Sequence, residues 1–224
     1  CDYAILSSKK QFQYYEEILT GDALKARLLK EDAAQLQGKD PATWPALCMA
    51  SGAPREEALQ AHQLLALFYA MQPGVFSFSV SDVLGLTAEQ VVNPLQPNEC
   101  SLYGSLPAQM QNSCSFARKL QQIVSARVQS GIDAAELIAV PRTQQKGLLL
   151  LIHRLKNGSL QLLAVNFGSR EAQERLELAQ VRQTSAINLM TGLIEPKPLD
   201  ASMFQLIVPP LSGKVILFQP KYFD

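Results

Sequence analysis

The stretch 61–86, AHQLLALFYAMQPGVFSFSVSDVLGL, restricts the possible folds of this chain more than any other. Its first part is apolar at nearly every position for about three helical turns, the pattern of a helix buried on most sides. Gln72-Pro73-Gly74 then ends the helix, because proline cannot continue the hydrogen-bond ladder and glycine accepts turn conformations that other residues avoid. A short buried strand is expected over 74–79, closing on the polar Ser79-Val80-Ser81-Asp82. A helix-turn-strand step of this kind is one unit of a (β/α)8 barrel, whose chemistry sits at the C-terminal ends of its strands. Asp82 is therefore the first candidate substrate-binding residue, with Ser79 beside it. The competing reading makes Asp82 a turn cap and leaves Ser79 and Ser81 as ordinary loop residues.

The flanking sequence extends both sides of this step. Residues 9–37 read as helical with a break near Thr20-Gly21, after which Leu24, Leu28, Leu29 and Leu36 share one stripe. Asp40-Pro41 and Trp44-Pro45 interrupt, since a residue before proline is driven out of the helical region. The next helix spans 54–71, with Pro54 near its first turn and Glu56 and Glu57 where the helix dipole favours anions. A proline-rich loop covers 86–105. A helix over 114–130 places Phe116, Leu120, Ile123, Val124 and Arg127 on adjoining turns and closes at Gly131.

Past residue 135 the period changes. GLLLLIHRL and LQLLAVNF are apolar runs joined through Lys156-Asn157-Gly158-Ser159, a strong hairpin signal that predicts a two-residue turn at Asn157-Gly158. Leu148–Leu155 should then pair with Leu160–Phe167, with His153 pointing outward. INLMTGLIE and FQLIVPPLSGKVILFQ continue as short strands, so an antiparallel β-sandwich is expected. The fold class expected is α/β plus all-β: residues 1–134 helical around one α-to-β barrel step, and 135–224 as a C-terminal β domain.

Charge removes several functions. Twenty basic residues balance twenty acidic ones, so no basic surface suited to nucleic acid or an anionic membrane emerges. No apolar run reaches the roughly 18 residues that span a bilayer. Cys1, Cys48, Cys100 and Cys114 follow no metal-binding spacing and only His62 and His153 could join them, so neither a metal nor another cofactor is expected. Free buried thiols and a cytoplasmic location are the expectation. His62, among leucines and alanines, reads as a satisfied buried histidine. Trp44 and Tyr103 are candidates for stacking on a ligand ring, with core or rim packing as the plainer alternative for Trp44.

Leu64 to Phe76 closely resembles the segment at the eighth barrel strand of the trehalose synthases, the maltose α-glucosyltransferases of the α-amylase superfamily. The resemblance continues collinearly through TGDALKARLLKEDAAQLQGKD, SLYGSLPAQMQNSCSFARKLQQIVSARVQSGI, AELIAVPRTQQKGLLLLIHRLKNGSLQLLAVNFG and INLMTGLIE, covering roughly residues 14–220. It implies a barrel end comprising an insertion, helix 7, strand 8 and helix 8, followed by a β domain. It also implies maltose/trehalose interconversion by glucosyl transfer in the full-length parent. That chemistry uses an Asp nucleophile and a Glu acid/base, on strands that the resemblance places before residue 1. Asp2 is a candidate remnant of the family's Asn-His-Asp, without the histidine. Where the family has Ser-Gly-Trp-Asp, this chain has Ser79-Val80-Ser81-Asp82, and a family segment between Leu86 and Ser101 is deleted. The segment should then complete the barrel while being inactive alone, partnered by the missing barrel part or by itself. A stand-alone, non-catalytic carbohydrate-binding or assembly module is the alternative.

Overall fold

The computed structural model describes residues 54–76, 80–85, 102–145, 147–177, 184–195 and 203–220. The helical expectation for 9–37, together with Asp2, Trp44, Ser79, Cys1, Cys48 and Cys100, lies outside them. The chain divides into two compact units, Cys1–Ala66 with Phe76–Gln121 and Leu67–Val75 with Gln122–Asp224.

Helix α1 spans Arg55–Ala70 and carries Glu56 and Glu57 in its first turn. Ala61, His62, Leu64, Ala66, Leu67, Phe68 and Ala70 are all buried, as the apolar run requires. Helix α2, Val80–Leu84, is a single turn and a half. Helix α3 is Leu106–Gln111 and α4 is Phe116–Ser130. On α4, Phe116 and Ile123 are buried, whereas Val124 is exposed rather than part of the inward stripe. The helix ends where expected, at Gly131 in the left-handed region.

The buried strand expected over 74–79 is absent over its described part. Residues 74–76 form no strand, and Val75 is 80% exposed. Other bonds hold this backbone: the Gly74 N–H donates to the Asp133 carbonyl at 2.8 Å, and the Arg127 guanidinium donates to the carbonyls of Ala70, Gln72 (2.8 Å) and Gly74. Arg127 thereby satisfies the open carbonyls at the end of α1 and places a cation against the negative end of its dipole.

The β region forms two antiparallel sheets. β1 (Glu136–Ala139), β2 (Leu148–Arg154), β3 (Leu160–Asn166), β5 (Thr184–Asn188) and β7 (Ser212–Pro220) make the larger sheet, in the order β1-β2-β3-β7-β5. β4 (Ala172–Glu177) and β6 (Met203–Val208) make the smaller one. Leu148, Leu150, Ile152, Leu162, Ala164, Ile216 and Phe218 from the first sheet pack with Ala172, Leu176, Phe204, Leu206 and Val208 from the second. The alternate residues of the large sheet, among them Leu149, Leu151, Leu163, Val165 and Leu217, are buried as well. A sheet covered on both faces needs uninterrupted apolar strands, which is why LLLLI does not alternate.

That second covered face corrects the outward placement of His153. The ring is fully buried, directly opposite Gln161, which is itself buried with its Nε2 3.9 Å from the Met71 sulfur.

The β2–β3 hairpin forms, with a register one residue away from the expected pairing. Leu148 opposes Asn166 and Arg154 opposes Leu160. Leu155 donates to the Ser159 carbonyl and Gly158 to the Leu155 carbonyl, both at 2.9 Å, enclosing a three-residue loop, Lys156-Asn157-Gly158. A two-residue turn at Asn157-Gly158 needs positive φ at both positions. Here only Gly158 adopts it, at φ 79°, while the Asn157 side chain accepts the Ser159 N–H at 2.9 Å.

Candidate functional site

The residues around Asp82 form a tightly bonded knot. Gln109 on α3 is its hub: Nε2 donates to the carbonyls of Val83 (2.9 Å) and Gly104 (3.0 Å), and Oε1 accepts the N–H of Ala117 (3.0 Å). The Gln109 backbone carbonyl accepts the Ser115 hydroxyl at 2.6 Å, and that hydroxyl accepts the Arg118 N–H at the start of α4. Residues 102–103 strap α2 from another side, through Leu102 N–H to the Gly85 carbonyl and Tyr103 N–H to the Leu84 carbonyl. Gly85 has to be glycine: φ is 64°, and a Cβ there would stand 3.1 Å from both Leu102 and the Tyr103 ring.

The aromatic part of the knot is a stack. The His62 ring lies nearly parallel to Phe116, with centroids 4.2 Å apart, and its Nδ1 is 3.1 Å from the Tyr103 hydroxyl. Tyr103 in turn lies at 20° to Phe116, with centroids 5.2 Å apart. Tyr103 therefore spends one ring face on protein packing. Burial pushes the His62 pKa down to about 3, so the ring is neutral at ordinary pH and serves as a hydrogen-bonding, stacking core residue. The expectation of a satisfied buried histidine holds.

Asp82 sits in the first turn of α2, where a carboxylate meets the positive end of the helix. It is only 2% exposed, which differs from the partly exposed carboxylate expected at a pocket wall. Its backbone carbonyl accepts the Gly85 N–H at 3.1 Å. Ser79 lies outside the described residues, so the pair is not placed together. Among the described residues no group of three His, Cys, Asp or Glu side chains could hold a metal, and no helix is long and apolar enough to cross a membrane. Cys114 is a free thiol that is exposed, contrary to the expectation of buried thiols.

The sequence reading passed over Gln109 and the His62–Tyr103–Phe116 stack. An isolated glutamine in SLPAQMQ carries no periodic signal, and the stack joins residues more than forty positions apart.

No family model and no curated protein sequence matches the chain. Solved structures do. The chain matches an α-amylase from Anoxybacillus with a TM-score of 0.60 at 12% identity, over 95% of its own length and 47% of that enzyme's. It matches the α-amylase of Geobacillus thermoleovorans, solved with acarbose, with a TM-score of 0.59 at 11% identity, over 82% and 38% of the two chains. For the maltogenic α-amylase AmyB of Thermotoga neapolitana the values are 0.57 and 10%, over 92% and 48%. The chain thus shares its fold with α-amylases and spans roughly two fifths to one half of their length.

Proposed function

We propose that these 224 residues are part of a trehalose-synthase-like protein of the α-amylase superfamily. In this reading the segment completes the catalytic barrel and carries the β domain, and its partner is the rest of the barrel. One observation carries the reading: a chain whose wording resembles the end of a trehalose synthase also shares the fold of about half an α-amylase. The whole protein would take maltose and trehalose as substrates. Retaining glycosyl transfer needs two carboxylates set about 5 Å apart, and the segment supplies neither. Asp82, buried in the α2 turn, supports the barrel end in this reading.

Two experiments test this. Purified chain incubated with maltose is expected to release neither trehalose nor glucose above a heat-killed control, and turnover would overturn the inactive-segment reading. Sequencing the coding region upstream of Cys1 is expected to reveal barrel strands followed by an Asp and a Glu. An upstream region without them overturns the membership itself.

A further inference from the structure

The two sheets of the β region are unequal, five strands against two. The smaller sheet leaves part of the larger one uncovered beside its edge strand β1, and a cavity of about 540 Å³ opens there. Its floor is the margin of the sandwich core, with Ile152, Leu160 and Leu176 among the lining residues.

Three arginines line the same cavity: Arg142 from the loop after β1, Arg154 at the end of β2, and Arg175 on β4. Arg154 is paired with Glu136 at 3.5 Å, both side chains being more than half exposed, so that pair is weak. The guanidinium groups of Arg142 and Arg175 have no ion pair or hydrogen bond among the described residues. Glu177 is the one carboxylate among the described lining residues.

We propose that this cavity binds a small organic phosphate. Arginines from three separate elements line one concavity, a concentration of like charge that a bound anion would offset. The planar guanidinium fork matches phosphate oxygens two at a time. A phosphomonoester carries close to two negative charges at neutral pH, which suits two arginines whose guanidinium groups have no acceptor among the described residues. The volume lies in the range of small-molecule sites and exceeds what a bare phosphate fills, so the organic body rests on Ile152 and Leu160. No aromatic ring is among the described lining residues, so these residues offer a neutral sugar no stacking plane. The inference does not depend on the glucosyl-transfer reading.

Isothermal titration of the whole chain with glucose 6-phosphate, inorganic phosphate and glucose tests it. Saturable binding of glucose 6-phosphate is expected, several-fold tighter than inorganic phosphate, with no detectable binding of glucose. Arg142→Gln and Arg175→Gln should each weaken glucose 6-phosphate at least tenfold. Both positions are exposed, so the variants should melt with the parent, and should Arg175→Gln unfold, Arg142→Gln alone decides. The proposal is overturned by absent saturation, by equal affinity for glucose or inorganic phosphate, or by variants that bind as the parent does.

Discussion

His62 and His153 are both fully buried, yet the two regions treat an identical ring in opposite ways. In the helical knot, His62 is stacked on Phe116 and bonded to the Tyr103 hydroxyl. In the interior of the large sheet, neither nitrogen of His153 has a hydrogen-bond partner among the described residues, and the Oε1 of the facing Gln161 has none there either. Burying a polar group without a partner costs about 1–3 kcal/mol in proteins. The knot has therefore built its stability from polar contacts, while the sheet holds an unsatisfied pair by the strength of the apolar packing around it.

Acid should act on both histidines and is the largest expected effect. Burial lowers the folded pKa to about 3 for His62 and about 4 for His153, against an ordinary value of 6.5. Above pH 6.5 both rings are neutral folded and unfolded, and pH has no leverage through them. Below 6.5 the unfolded chain takes up two protons that the native chain refuses, so stability falls as pH falls, until the folded pKa values are reached. By pH 5 the loss is about 4 kcal/mol for the two together. Urea midpoints measured from pH 7.5 to 5 check this, and a flat profile would remove the premise that both rings stay neutral.

The next effect belongs to the knot alone. Gln109→Ala deletes three side-chain hydrogen bonds and leaves the Val83 and Gly104 carbonyls and the Ala117 N–H seeking partners. A loss of about 3 kcal/mol is expected, read as a lower urea midpoint at unchanged slope. A loss below about 1 kcal/mol would mean that water replaces the glutamine and that the knot is not the rigid element described.

The contrast between regions also explains what the sequence disclosed. The sheet was legible because its signals are local: alternating or continuous apolar runs and an Asn-Gly turn lie within twenty residues of one another. What failed there was fine detail. Whether Asn157 takes positive φ decides between a two- and a three-residue loop, and that choice moves the register by one. His153 was misplaced because alternation assumes one wet face, and at His153 both faces of the sheet are covered. The α1 and α4 spans were equally legible from apolar spacing and from Gly131. The knot was not, since Gln109 and Tyr103 act on residues brought near only by folding, and nothing in their immediate sequence marks them. Asp82 was marked by its place after the expected strand, but that strand is absent over its described part and the residue is buried, which no local pattern announces.

Tyr103→Phe sharpens the comparison by making His62 more like His153. The ring stack survives, and one bond to His62 Nδ1 is lost. A loss of about 1 kcal/mol is expected, measured by thermal or urea unfolding at pH 7.5. A neutral result would show that stacking alone accounts for His62.

The converse substitution is the sharper one, because its sign is opposite. His153→Leu replaces a ring that forms no hydrogen bond with an apolar side chain of similar bulk, in a face already built from Leu149, Leu151, Leu163 and Leu217. Removing an unsatisfied buried group while keeping the packing is expected to raise stability by about 1 kcal/mol at pH 7.5. The gain should widen as pH falls, since the variant no longer has a residue at 153 that protonates only when unfolded. Near pH 5 the advantage reaches about 3 kcal/mol, and the acid slope drops to what His62 supplies. Both readings come from one set of urea titrations. If the variant is less stable at pH 7.5, a buried water bridges His153 and Gln161 and satisfies them, and the difference drawn between the two regions disappears.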